Sequence, residues 1–289
     1  MMKISVKPEE CVNLKDFIKN KNTPPNEVQI AWVGQAGFIF KLKNKLLIID
    51  PYLSNYLAKK YKGKLFPHIR LMEIPINPEK ITDPDYIICS HAHSDHMDPE
   101  TISILSNKNP EVKIIVPAAE KKEILNRGAR LSQIILINDG DILKLEEGLE
   151  ITGVAAAHET LKVNQEGEHH FLGYIFDFEG IRIYHSGDCI PYEGLAQKLS
   201  KMEIDIALLP INGRDEFRLK NNIAGNFFVE EVLDICKSAI IENLIVHHFG
   251  MFAYNTVRED VLENLRNLNS PQLQIFTPEI NKIYKIKMI

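Results

Sequence analysis

A chain of 289 residues, 45% hydrophobic and 25% charged, carries enough apolar side chains for one large core, and this ordinary balance excludes disordered and fibrous classes. The formal net charge of -5 offers no general basic footprint for a phosphate backbone, which counts against a dedicated nucleic-acid partner. Cys11, Cys89, Cys189 and Cys236 stand singly, without a Cys-x-x-Cys pair, an apolar leader or a run of about 20 apolar residues in the chain, so the expectation is a cytoplasmic protein with reduced thiols and no membrane partner.

Residues 1–26 mix charges with Pro24-Pro25 and read as an N-terminal arm or helix leading into a single domain over 1–289. From Glu27 the pattern changes to three short strand-like runs, Val28 to Val33, Phe38 to Leu42 and Leu46 to Ile49. Gly34 and Gly37 between the first two read as turn residues, because no helix-forming run follows them as a dinucleotide loop would require. Asp50 ends the third strand, a place where an acid is more often a cap than a ligand. The stretch from 54 to 80 is rich in Lys, Pro and Tyr and reads as a loop bordering a site, its Lys59 to Lys64 run solvated and its His68 without an evident partner.

Tyr86 to Cys89 is β-favouring and stops at His91-Ala-His93-Ser-Asp95-His96; Asp98-Pro99-Glu100 then supplies an N-cap, a first-turn proline and a first-turn acid for a helix near 99–107. Residues two apart in extended backbone point the same way, so His91 and His93 can converge on one metal ion while the turn re-aims Asp95 and His96 towards a second. Three imidazoles packed this closely without a metal would repel when protonated and need several partners when neutral.

Strands and helices alternate from here. Strands are predicted at 112–116, 133–137, 149–154, 171–176, 181–184, 204–209, 243–246 and 273–276, and helices near 118–127, 194–202, 228–237 and 258–268. Strand exits carry His158 after Ala155-Ala-Ala157, Asp188 after Gly187, and the pair His247-His248. His169 and His170, in a polar loop, either reach the site or are ordinary loop residues. Adjacent strand residues face opposite ways, so only one of His247 and His248 is expected to ligate, and His248 lies closer to the loop.

With His91-x-His93-x-Asp95-His96, His158, Asp188 and His247-His248 in this order, the chain resembles the metallo-β-lactamase superfamily. Trp32-Val-Gly-Gln-Ala-Gly37, Asp50-Pro-Tyr-Leu53, Tyr184-His-Ser-Gly-Asp188, Pro210-Ile-Asn-Gly-Arg214 and Asn255 are similar to the branch that includes L-ascorbate-6-phosphate lactonase. The resemblance implies an α/β fold, the αββα sandwich of two mixed sheets flanked by helices. It also implies two divalent ions, one on His91, His93 and His158, the other on Asp95, His96 and His248, with Asp188 bridging; a donor set of histidines and carboxylates without thiolate suits Zn2+ or Mn2+, and also iron. A metal-bound hydroxide would then hydrolyse a small anionic lactone, ester or phosphoester, with Asp95 orienting the nucleophile and accepting its proton. Arg214, Arg218, His247 and Asn255 are the candidate substrate contacts, and relatives in this branch suggest a homo-oligomer. The alternatives are a nuclease of the same fold acting on RNA or DNA, and a non-catalytic metal-binding protein.

Overall fold

A computed structural model describes residues 3–10 and 13–289. In the first half, β1 (Ile4–Glu10) and the short helix α1 (Leu14–Lys19) precede a meander of β2 (Glu27–Gly34), β3 (Gly37–Leu42) and β4 (Lys45–Ile49). Next come α2 (Tyr56–Lys60), β5 (Tyr86–Ile88), α3 (Pro99–Lys108), β6 (Lys113–Pro117), α4 (Lys121–Asn126) and β7 (Ile134–Ile137). The second half runs β8 (Ile142–Glu146), β9 (Leu149–Ala155), β10 (Leu172–Phe178), β11 (Ile181–His185), α5 (Leu195–Lys201), β12 (Ile206–Pro210), α6 (Glu216–Lys220) and α7 (Val229–Ala239). It closes with β13 (Asn243–His247), α8 (Glu259–Asn267), β14 (Gln274–Phe276) and β15 (Lys282–Met288).

Eight strands form one sheet in the order β1-β15-β2-β3-β4-β5-β6-β7, and seven form the other in the order β14-β13-β12-β11-β10-β9-β8. Both sheets are mixed: β4 to β7 pair in parallel, as do β11 to β14, while the remaining neighbours are antiparallel.

Alternation decides which side chain faces which layer. Val28, Ile30, Trp32, Phe38 and Phe40 turn inward and pack with Ile151, Tyr174, Phe176, Ile183 and Leu208 of the second sheet in one cluster. Their neighbours Ala31, Val33, Ile39 and Ile48 point the other way, under Leu14 and Phe17 of α1, Ile102 and Leu105 of α3, and Ile124 of α4. Because both faces are covered, every residue of β2 is buried. On the far side α5, α7 and α8 close over the second sheet through Leu195, Leu199, Val232, Ile235, Leu262 and Leu265. The result is the αββα sandwich.

Three strands lie outside the sequence expectations. Residues 4–10, expected as an arm or helix, form β1 along β15, with Ile4 opposite Met288 and Glu10 opposite Lys282. β15 itself joins the first sheet by pairing Ile286 with Val28. Strand pairing across nearly the whole chain leaves no local signature, and a half-exposed edge strand such as β8 carries only a weak alternation.

Phe40 is fully buried between the layers, its ring centroid 4.9 Å from that of Phe176 and 5.9 Å from that of Phe178. Phe40→Ala is expected to cost about 3–5 kcal/mol of unfolding free energy, read from the midpoint shift in denaturant.

Candidate metal centre

Both sheets present strand exits at one edge of the sandwich. β5 delivers the His91 to His96 loop from the first sheet; β9, β11 and β13 deliver His158, Asp188 and His248 from the second. One donor atom each from His91, His93, His158 and Asp188 lies within 4.8 Å of all the others, and Asp95, His96 and His248 form a second such group. Asp188 joins the two. Its Oδ1 is 3.2 Å from His96 Nε2 and 3.3 Å from His248 Nε2, while Oδ2 is 3.7 Å from His158 Nε2.

Protons on the outward nitrogens are fixed by neighbours. Asp50 Oδ1 accepts from Ser90 N at 2.7 Å, and its Oδ2 accepts from Ser90 Oγ at 2.6 Å and from His96 Nδ1 at 2.7 Å. Since the one hydroxyl proton of Ser90 goes to Asp50, its Oγ accepts from His91 Nδ1 at 2.9 Å. His91 Nε2 and His96 Nε2 are consequently turned inward, and both are buried without a hydrogen-bond partner, as is Asp188 Oδ1. His93 Nδ1 and His158 Nε2 face each other at 3.2 Å. Converging buried donors of this kind, nitrogen and carboxylate without thiolate, fit a divalent cation. Phe171 packs against His91, His93 and His158 with centroids 5.0, 5.7 and 5.1 Å away, limiting their tilt.

Local backbone supplies the rest. Gly187 has φ +60°, and a Cβ there would lie 2.8 Å from Ser90 Cβ and 2.9 Å from Leu172 O, so only glycine lets the Asp188 turn close on the β5 loop. His248 adopts φ +62° and leaves the path of β13, its amide donating to Gln35 O at 2.9 Å. His247 stays on the strand and points into the core, stacked on His185 at 4.9 Å with Phe38 edge-on at 5.7 Å. It does not reach the site. His185 donates through Nε2 to Ala36 O (2.9 Å) and accepts at Nδ1 from Gly187 N (3.0 Å), linking the Asp188 turn to the β2–β3 turn.

Three positioning residues escaped the sequence reading. Asp50 is neither a cap nor part of either donor group; it holds Ser90 and His96. Gln35, in the β2–β3 turn, donates from Nε2 to Asp95 Oδ2 at 2.8 Å and lies 3.1 Å from His248 Nε2. Arg127 directs its guanidinium at the carbonyls of Ala92, His93 and Met97 and pairs with Glu123, clamping the histidine loop from behind. Strand-exit position was the available signal for Asp50 and Gln35; nothing near Arg127 announces its partners.

A cavity of about 600 Å³ opens over the cluster, lined by His93, Asp95, His158, Asp188, His248 and Asn255, and by Lys60, Lys64 and His68 of the 54–80 segment. Arg214 and Arg218 do not line it. Arg214 is paired with Glu231 at 2.6 and 2.7 Å, and Arg218 donates to Asn255 Oδ1 at 2.7 Å and to Asn212 O at 3.1 Å. Arg218 therefore acts on the cavity through Asn255. His169 and His170 lie elsewhere, bonded to Asn138 and Glu120.

Residues 29–236 match the beta-lactamase superfamily domain, and the chain belongs to that superfamily. A UPF0173 metal-dependent hydrolase of Pyrobaculum aerophilum is 28% identical over 186 residues, 64% of this chain and 72% of its own. One from Saccharolobus solfataricus is 28% identical over 192 residues with the same coverage of 64% and 72%. Among solved structures, the metallo hydrolase Igni18 of Ignicoccus hospitalis superposes with a TM-score of 0.65 at 19% identity, covering 90% of this chain and 98% of its own. The isothiocyanate hydrolase from Delia radicum gut bacteria reaches 0.69 at 16% identity, covering 88% and 98%.

Burial, with His96 and His93 beside it, holds His91 well below the ordinary imidazole value; burial and His158 bring His93 to about 4, and burial lowers His158. Each binds fewer protons folded than unfolded, so its contribution is present above about pH 6.5 and lost as pH falls through the folded value. His96 runs the opposite way: burial lowers it, but Asp188, Asp50 and Asp95 together raise it well above the ordinary value. Its contribution is present below about 6.5 and lost as pH rises through the folded value. With three depressed groups against one raised, chelator-treated protein is expected to melt at a lower temperature at pH 5 than at pH 7. Asp50→Asn removes the charged acceptor of His96 Nδ1 and is expected to weaken metal retention about 10–100-fold in a chelator competition.

Proposed function

We propose that this chain is a single-domain, metal-dependent hydrolase that holds two divalent cations, Zn2+ or Mn2+, and cleaves a small anionic lactone, ester or phosphoester. The observation that carries the reading is Asp188, whose two oxygens face two separate groups of inward lone pairs. Its relatives called metal-dependent hydrolases support the same class.

In this reading His91, His93 and His158 would hold one cation and Asp95, His96 and His248 the other, with Asp188 available to both groups. When bound, such cations would supply an acidified water and a Lewis acid for the bond under attack. Asp95 lines the cavity and orients the attacking water. Gln35 fixes that carboxylate by donating to Oδ2, and Asp50 keeps the His96 ring in the tautomer that offers Nε2. Lys60 and Lys64, which line the cavity where Arg214 and Arg218 do not, favour an anionic substrate. Asn255 has its oxygen engaged by Arg218 and Asn212 Nδ2, leaving its amide hydrogens for a substrate oxygen.

The test is turnover of a lactone, an aryl ester and an aryl phosphodiester by protein stripped with a chelator and reloaded with Zn2+ or Mn2+. Metal-dependent hydrolysis of at least one is expected, with His93→Ala slower by about a hundredfold or more and deficient in bound metal. Absence of turnover on all three, with His93→Ala retaining metal as the parent does, would sink the reading.

A further inference from the structure

We propose that His68 Nε2 carries the proton from the attacking water to the leaving oxygen, which suits this cavity to substrates with a poor, alkoxide-like leaving group. This rests on the hydrolytic reading above.

His68 belongs to neither donor group, yet it lines the same cavity as His93, Asp95 and Asp188. Its Nδ1 donates to Phe66 O at 2.7 Å, which fixes the neutral tautomer and leaves Nε2 as a bare acceptor. That nitrogen has no hydrogen-bond partner among the described residues, and its ring lines the cavity. The ring is held on three sides, stacked on Tyr61 at 4.1 Å and met edge-on by Phe252 at 5.2 Å and Tyr254 at 5.0 Å.

The backbone is held as firmly. His68 has φ +51°, a left-handed conformation that non-glycine residues adopt rarely and keep only where the surroundings enforce it. Enforcement comes from Arg70, which donates to Tyr52 O at 3.0 Å and Met72 O at 3.2 Å, and from Leu71 N, which donates to Met251 O at 2.9 Å. A cavity-lining loop histidine with a fixed tautomer and a fixed ring plane has the form that a proton carrier needs.

The groups around it agree. Burial lowers His68 below the ordinary imidazole value; Asp95 across the cavity opposes this and Lys60 adds to it. Tyr254 stays neutral because burial pushes its hydroxyl up. The ring is accordingly unprotonated at neutral pH and free to accept a proton.

Water adds to the acyl carbon and gives up a proton, which Nε2 takes. The bond from that carbon to the leaving oxygen then breaks, its electron pair going to oxygen, and Nε2 returns the proton there. The products are an acid and an alcohol, and the ring ends neutral as it began. A leaving phenolate stable as an anion has little need of that proton, whereas an alkoxide depends on it.

The experiment compares γ-butyrolactone with p-nitrophenyl butyrate on metal-loaded parent protein, His68→Gln and His68→Ala. Glutamine keeps a donor for Phe66 O but has no titrating nitrogen. Expected are metal content equal to the parent, a lactone rate lower by about a hundredfold, and a lactone-to-aryl rate ratio lower by at least about tenfold. Nitrogen-15 NMR of the parent is expected to show the His68 ring protonated on Nδ1 alone at pH 7. Parallel loss on both probes, an unmoved ratio, or an Nε2-protonated ring overturns the assignment to His68 while leaving the hydrolytic reading intact. Turnover of neither probe by the parent overturns the assignment to His68, and silence on aryl phosphodiesters as well, with His93→Ala retaining metal as the parent does, overturns the hydrolytic reading.

Discussion

Seven side chains are gathered with their donor atoms turned towards one another, in groups of four and three, and much of the surrounding fold exists to hold them so. Left alone, buried imidazoles and carboxylates would satisfy themselves with hydrogen bonds and swing away. Asp50 and Ser90 prevent this by occupying the outer nitrogens of His91 and His96, so that the lone pairs can only face inward. Phe171 wedges the first group, Arg127 braces the loop that carries three of the rings, and Gly187 allows the turn bearing Asp188 to close against Ser90.

Motif and strand-exit logic were sufficient to bring His91, His93, Asp95, His96, His158, Asp188 and His248 onto one page, because each sits where a β-favouring run meets small or polar residues. The αββα arrangement came from resemblance; periodicity alone would have stopped at α/β. What was hidden depends on partners remote in sequence. Asp50 looks like any acid at a strand end until Ser90 and His96 are beside it, and β1 looks like an arm until Ile4 meets Met288. Arg214 and Arg218 were attractive as anion anchors from loop position, but position does not reveal that Glu231 and Asn255 already engage them. The His247-His248 pair turns on a single backbone torsion, +62° at His248, which sends one ring to the cavity and the other into the core.

The cavity wall and the donor groups come from different kinds of structure. The seven donor side chains stand at or just beyond the ends of strands buried on both faces, while the opposite wall comes from the segment between β4 and β5, where Tyr61, Phe66 and His68 meet Phe252 and Tyr254. Ile69 and Leu71 of the same segment are largely exposed, so its outer surface can vary without disturbing the sandwich.

Each donor group is also split between the two sheets: His91, His93, Asp95 and His96 come from the first, and His158, Asp188 and His248 from the second. Any cation seated there is a rivet through both layers. Neither donor group is complete without both sheets, so a bound cation would favour the closed sandwich over any state in which the layers part.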